Sequence, residues 1–260
     1  MTILEQIVAD KRLEVAALKL TVPLEHVRDL SKVLKPGLSM KQALLNSSSG
    51  IISEFKRKSP SMGFINERAE VEPIVTAYEK AGCSGISVLT DHKYFGGSMN
   101  DIKVARAAVT CPVLRKDFII DPYQVYVSKI LGADVILLIA ANLTLDEAYD
   151  MSELAHELGM EVLLEVHEEK ELEYIGRYTD LIGVNNRNLK TFKTDILTSF
   201  DLVKKIPVDR VKISESGLSD PSTVKALRDV GFNGFLIGEA FMKHVDPGDA
   251  LASFIKKSIS

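Results

Sequence analysis

The chain has no tryptophan and only two cysteines in 260 residues. Cys83 and Cys111 form no CxxC pair, so they read as packed thiols in a reducing compartment rather than as part of a disulfide framework. The five histidines (His26, His92, His156, His167 and His244) show no ligand spacing; each reads as a surface or packed side chain, and no metal is expected. No apolar run is long enough to span a bilayer. The first residues carry Glu5 and Asp10 among apolar neighbours, which is not the pattern of a signal peptide. Positive charge is not in excess: 32 Lys and Arg stand against 36 Asp and Glu, a formal net charge of -4. That argues against a general nucleic-acid binder, which would show a basic face. There is no low-complexity segment, no solenoid period and no Gly-x-Ser-x-Gly elbow. A cytoplasmic protein without membrane or nucleic-acid partners is expected, and a monomer, because no repeated apolar face is left unassigned.

What is present is a 46% hydrophobic chain of a length that suits one large domain. Residues 1–49 read as a helical extension. Ile3, Leu4, Ile7 and Val8 recur at helical spacing over residues 1–20. Thr21-Val22-Pro23 breaks that pattern, and Pro23 suits the first turn of a second short helix. Residues 35–50, with Pro36, Gly37, the serine run Ser47-Ser48-Ser49 and Gly50, read as a loop with a short helical piece at best.

From residue 51 the pattern alternates. Apolar runs occur at Ile51–Glu54, Gly85–Leu89, Val113–Leu114, Val135–Ile139, Val162–Val166, Leu181–Val184, Val211–Ile213 and Gly234–Ile237. Helical stretches follow at about 67–80, 101–109, 122–131, 144–158, 168–176, 195–205, 220–229 and 247–257. Glycines at 82, 132, 159 and 231 mark helix stops. Eight strand–helix units point to an α/β fold, a (β/α)8 TIM barrel with an N-terminal helical extension, the whole of 1–260 forming one domain. The alternative is an open doubly wound sheet; it is weakened in its dinucleotide-binding version because no GxGxxG follows the first strand.

In such a barrel the chemistry gathers at the C-terminal strand ends. Glu54 and Lys56 follow the first run, two apart and therefore on one face, with Phe55 and Arg57 on the other and Ser59-Pro60 stopping the strand. The third run ends in Arg115-Lys116-Asp117-Phe118, where Arg115 and Asp117 read equally well as solvated loop charges. Glu165 lies inside Leu-Leu-Glu-Val and needs a partner, for which Lys116 and Lys56 are the natural choices. The sixth run ends in Asn185-Asn186-Arg187-Asn188 and the seventh in Ser214-Glu215-Ser216-Gly217. The eighth ends in Gly238-Glu239, before a short helical piece. The last two ends, with small residues and free N–H groups, read as an anion site of the kind barrels use for phosphate.

Together these residues resemble indole-3-glycerol phosphate synthase. The resemblance is carried by Glu54-Phe55-Lys56-Arg57-Lys58-Ser59-Pro60-Ser61, by Tyr94-Phe95-Gly96-Gly97-Ser98 and by Arg115-Lys116-Asp117-Phe118. Leu164-Glu165-Val166-His167, Gly183-Val184-Asn185-Asn186-Arg187 and Ser214-Glu215-Ser216-Gly217 extend it over essentially the whole chain. It implies ring closure of 1-(2-carboxyphenylamino)-1-deoxyribulose 5-phosphate with loss of carbon dioxide and water, without cofactor or metal. It further implies Lys116 as general acid, Glu165 as general base, Lys56 held by Glu54 as a substrate-polarising group, and Glu215 supporting the polar network. Ser59, Asn185 and Arg187 would position the anthranilate carboxylate. Phe95, Phe118, Leu137 and Leu189 would wall in the ring, and Ser216, Gly217, Gly238 and Glu239, with Lys56, would hold the phosphate. Met62 and His92 depart from the family pattern at loop positions. A Schiff-base aldolase using Lys116 or Lys56, a phosphoribosylanthranilate isomerase-like barrel and a non-catalytic phosphate-binding barrel are the rival expectations.

Overall fold

The computed structural model describes residues 2–188, 191 and 193–259. Three helices precede the first strand: α1 (Ile3–Thr21), α2 (Leu24–Lys32) and α3 (Met40–Leu45). Thr2 and Glu5 close α1 with a capping box, and Pro23 sits just ahead of α2 rather than inside its first turn. Eight parallel strands follow. They are β1 (Ile51–Phe55), β2 (Gly85–Leu89), β3 (Val113–Lys116), β4 (Val135–Ile139), β5 (Glu161–Val166), β6 (Leu181–Asn185), β7 (Val211–Glu215) and β8 (Gly234–Ile237). Each pairs with its neighbours, and β8 pairs back onto β1, Ile51 opposite Phe235, so the sheet is a closed barrel. The open-sheet alternative is thereby excluded. Around the barrel pack α4 (Val71–Lys80), α5 (His92–Phe95), α6 (Met99–Ala108), α7 (Pro122–Ile130), α8 (Leu145–Glu157), α9 (Leu197–Leu202), α10 (Pro221–Asp229), α11 (Glu239–Met242) and α12 (Pro247–Ile259). The four glycines expected at helix-to-strand joints all have positive φ, from 67° to 108°.

Two expectations need correction. The stretch at 168–176 holds a 3-10 helix, Glu169–Tyr174, not an α-helix. Four of the six residues in Glu-Lys-Glu-Leu-Glu-Tyr are charged, which leaves too little apolar surface to dock a full α-helix on the barrel. β1 ends at Phe55, four residues before Ser59; Lys58–Ser59 instead pairs antiparallel with Gly63–Phe64 as a small hairpin above the strand.

Strand periodicity sorts the side chains into two layers. Ile51, Phe55, Ile86, Val88, Ile136, Leu138, Val162, Leu164, Ile182 and Val184 face outward onto the helices. Ile52, Leu114, Val135, Leu137, Ile139, Leu163, Leu181, Val211, Ile213 and Leu236 fill the interior. That interior core also takes Met40 and Leu44 of α3, so the segment read as a loop with at most a short helical piece plugs the bottom of the barrel. Gly85 makes the room: a Cβ there would collide with Met40 Sδ. Both plugging residues are at most 2% exposed. Met40→Ala is expected to lower unfolding stability by about 2–5 kcal/mol, the range for truncating a buried long side chain, read as a denaturant midpoint with unchanged slope.

Candidate functional site

At the opposite end the inward positions turn polar. Glu54 and Lys56 continue the inward face of β1; Lys116, Glu165, Asn185 and Glu215 end β3, β5, β6 and β7. All six line one cavity of about 330 Å³ at the C-terminal mouth of the barrel. Lys116 Nζ lies at its floor, donating to Glu165 Oε2 and to Glu215 Oε2, each at 2.8 Å. Lys56 does not reach Glu165; it pairs with Glu54 Oε1 at 2.6 Å. Asn185 Nδ2 donates to Glu165 Oε1 at 3.0 Å. Five ionisable groups of opposing sign are thus held at the closed end of the pocket.

Burial alone would push Lys116 toward the neutral amine. The carboxylates of Glu165, Glu215 and Glu54 outweigh it, and its pKa is raised. Glu165 feels the converse: burial favours the acid, but Lys116 and then His167 hold its carboxyl well below the usual range. Glu215 is different. Burial and the repulsion of Glu165 outweigh Lys116 and push it up to about 7. One lysine between two carboxylates therefore keeps one of them firmly ionised and leaves the other near its titration point. Glu215 sits against Gly183, where any Cβ would strike its Oε1, and that oxygen has no hydrogen-bond partner among the described residues.

One wall of the cavity is apolar: Phe95 and Phe118, with ring centroids 6.1 Å apart, and Leu137. Another is built from Ser216, Gly217, Gly238 and Glu239. Ser216 and Gly217 are consecutive left-handed residues, φ 68° and 76°, and Ser216 is the sole non-glycine with positive φ among the described residues. Such a conformation costs about 1 kcal/mol or more and persists where the surroundings impose it. Arg187 lines the rim, donating to Ser61 Oγ at 3.0 Å, with Nη2 3.8 Å from Glu239 Oε2. Ser59 is not brought in. It is buried beneath the β1 loop, accepting from the Met62 N–H at 3.3 Å. Leu189 lies outside the described residues.

Several lining residues carry no signal in the sequence. Ile3, Leu4 and Ile7 of α1 form part of the wall, as do Thr194, Ser219 and Lys243. The helix is anchored by Lys11, which is 1% exposed and lies 3.0 Å from both Asp91 Oδ2 and Asp117 Oδ1. Asp117 Oδ2 accepts from Thr90 Oγ1 at 2.6 Å and from Arg115 Nη2 at 2.9 Å. Arg115 and Asp117 are therefore not solvated loop charges; each side chain is 1% exposed, because each completes the other's buried pairing. Burial raises Asp117, but Arg115 and Lys11 hold it down at about 2. His167, read as one packed or surface histidine among five, lies with Nε2 3.3 Å from Glu165 Oε1. Its place two residues after Glu165, just past the end of β5, was the available signal. Among the described residues no three His, Cys, Asp or Glu side chains converge to hold a metal ion, and no helix is long and apolar enough to cross a membrane.

A closed parallel barrel whose C-terminal mouth pairs lysines with carboxylates beside an aromatic wall defines a barrel enzyme of acid–base chemistry on a small molecule. Residues 4–254 match the family model described as indole-3-glycerol phosphate synthase. A protein of that name from Bacteroides thetaiotaomicron is 53% identical, the match spanning 98% of each chain. Namesakes from Delftia acidovorans and Burkholderia lata are 43% and 44% identical over 96% of this chain and 97% of theirs. The chain belongs to the indole-3-glycerol phosphate synthase family.

The raised Glu215 carries a stability consequence. The folded chain holds this proton more tightly than the unfolded chain does, so stability falls as pH rises from the ordinary 4.5 to about 7. Glu215→Gln has no such proton to lose. Relative to wild type it is expected to be up to about 3 kcal/mol more stable near pH 8 and no more stable below the ordinary carboxyl range, by denaturant midpoints at each pH.

Proposed function

We propose that this chain acts in tryptophan biosynthesis as a carboxy-lyase, closing the indole ring of 1-(2-carboxyphenylamino)-1-deoxyribulose 5-phosphate and releasing carbon dioxide and water. The observation that carries the reading is the Lys116 ammonium, bracketed by Glu165 and Glu215 on the floor of a cavity with an aromatic wall and a wall of small residues. The ring packs between Phe95, Phe118 and Leu137. Arg187 and Asn185 face its carboxylate, and the phosphate lies against the wall of Ser216, Gly217 and Gly238.

In the first step the aryl carbon bearing the carboxylate attacks the ketose carbonyl, and Lys116 gives a proton to the oxygen as it becomes an alkoxide. The raised pKa keeps Lys116 loaded at neutral pH, and a developing alkoxide is basic enough to take the proton. Loss of carbon dioxide restores the aromatic ring. The remaining hydroxyl then takes a proton from the Lys56 ammonium and leaves as water, while Glu165, held ionised, accepts the carbon-bound proton whose loss forms the indole double bond; Glu165 returns that proton to Lys116, and Lys56 regains its own from solvent. Lys56, fixed by Glu54, polarises the substrate oxygen from the other side.

The aldolase alternative needs an uncharged nucleophilic lysine; here the neighbouring carboxylates drive Lys116 the opposite way. The isomerase-like alternative lacks the N-terminal extension and the Glu54–Lys56 pair, and both line this cavity.

The test is a fluorescence assay for indole formation from the carboxyphenylamino substrate; no product, or a borohydride-trapped lysine adduct, refutes the reading. Lys116→Ala is expected to lower kcat on the order of a hundredfold or more, the scale of a proton-transfer group. Ser216→Ala is expected to act mainly by raising KM.

A further inference from the structure

Among the described residues, His167 is the one ionisable side chain within ion-pair distance of the catalytic carboxylate that the mechanism above does not use. It follows β5, and strand alternation turns it inward with Leu163 and Glu165. Its ring lies between two acids. Nε2 is 3.3 Å from Glu165 Oε1, and Nδ1 is 3.4 Å from Glu171 Oε2. Both separations are long for hydrogen bonds and short for an ion pair. Glu171 belongs to the 3-10 helix Glu169–Tyr174, and the same oxygen accepts the His167 backbone N–H at 2.6 Å. The two carboxylates are 2% and 6% exposed, and the imidazole side chain is 12% exposed.

We infer that His167 is a positioning residue, held as an imidazolium between Glu165 and Glu171, and that it serves as the standing counter-ion of the general base. The need for one follows from the proposed reaction, on which this inference rests. Glu165 Oε2 is compensated by the Lys116 ammonium. When Lys116 passes its proton to the ketose oxygen, the amine becomes neutral, and Glu165 loses its nearest cation in the same step. The groups facing Glu165 from the other strands do not replace it. Asn185 on β6 is uncharged, while Glu215 on β7 and Glu54 on β1 are acids that face Lys116. His167 is on the side of Glu165 away from Lys116, contacting Oε1 rather than Oε2, so its charge survives the transfer. It therefore keeps Glu165 ionised and oriented until the dehydration step calls on it. Glu171 is what makes the imidazolium permanent. Burial lowers the imidazole, but the two carboxylates outweigh it and hold the ring at about 9, above neutral pH.

The experiment compares wild type, His167→Gln and Glu171→Gln. His167→Gln removes the charge and keeps a polar side chain. Its kcat is expected to fall about tenfold with KM changed less than about twofold. The acid limb of its kcat–pH profile, which reports the substrate complex, is expected to move up by about one pH unit. An acid limb left in place, or a loss confined to KM, overturns the proposal. Nitrogen-15 NMR of the wild-type imidazole is a second readout that needs no variant to fold. Imidazolium shifts persisting through pH 8 are expected, and a titration near the ordinary 6.5 overturns the proposal. Glu171→Gln is expected to bring that titration down toward neutrality, and an unmoved titration again overturns it. Failure of the ring-closure reading itself is separable, because wild type would then make no indole.

Discussion

One ammonium among buried carboxylates organises the catalytic end of this barrel. Glu165 and Glu215 are each almost fully buried, and an isolated ion at such depth costs several kcal/mol. Lys116 lies between the two acids and offsets part of that cost, and they in turn hold its own charge against burial. The three residues come from β3, β5 and β7, so their meeting depends on barrel closure and on the register that puts each at an inward position. The same balance explains why the two acids behave differently. Glu165 is compensated by Lys116 and His167 together, whereas Glu215 has Lys116 alone and retains affinity for a proton. A site built this way is poised for proton transfer and correspondingly poor for stability.

A second ionic cluster fixes the lid. Lys11 carries α1 onto Asp91 and Asp117, which lie just beyond β2 and β3. Asp10 reinforces the attachment through Lys93 at 2.6 Å and Tyr94. Both aspartates are adjacent to or part of the loops that carry Phe95 and Phe118. The helix that supplies Ile3, Leu4 and Ile7 to the cavity is therefore tied to the segments that supply its aromatic wall. Removing one partner from such a buried network leaves an uncompensated charge, which is why it holds the helix more firmly than its modest apolar contacts could.

Much of this was legible from the residues alone. The eight runs coincide with the eight strands, with ends off by at most two residues, because parallel strands covered on both faces are short and continuously apolar. Lys116 and Glu165 stood out because a charge in an apolar strand requires a partner. The reading failed where local composition is ambiguous. Pro-, Gly- and Ser-rich residues 35–50 hide α3, whose helicity comes from inserting Met40 and Leu44 into the barrel floor rather than from propensity. The acid-rich 168–176 stretch suggested an α-helix and forms a 3-10 turn that places Glu171 beside His167.

The order of elements, the inward and outward faces of each strand and the identity of the charged groups at the strand ends are properties of the chain itself, because period and composition are local. Which charges pair was decided only by the closed barrel. Lys56 was as good a partner for Glu165 as Lys116 on sequence grounds, yet it binds Glu54. Arg115 and Asp117 read equally well as solvated loop charges, and the barrel buries both. His167 looked ordinary and lies against Glu165. Coulomb energy and desolvation depend on distances of a few ångströms between residues up to about a hundred positions apart, and those distances exist only once the sheet has closed.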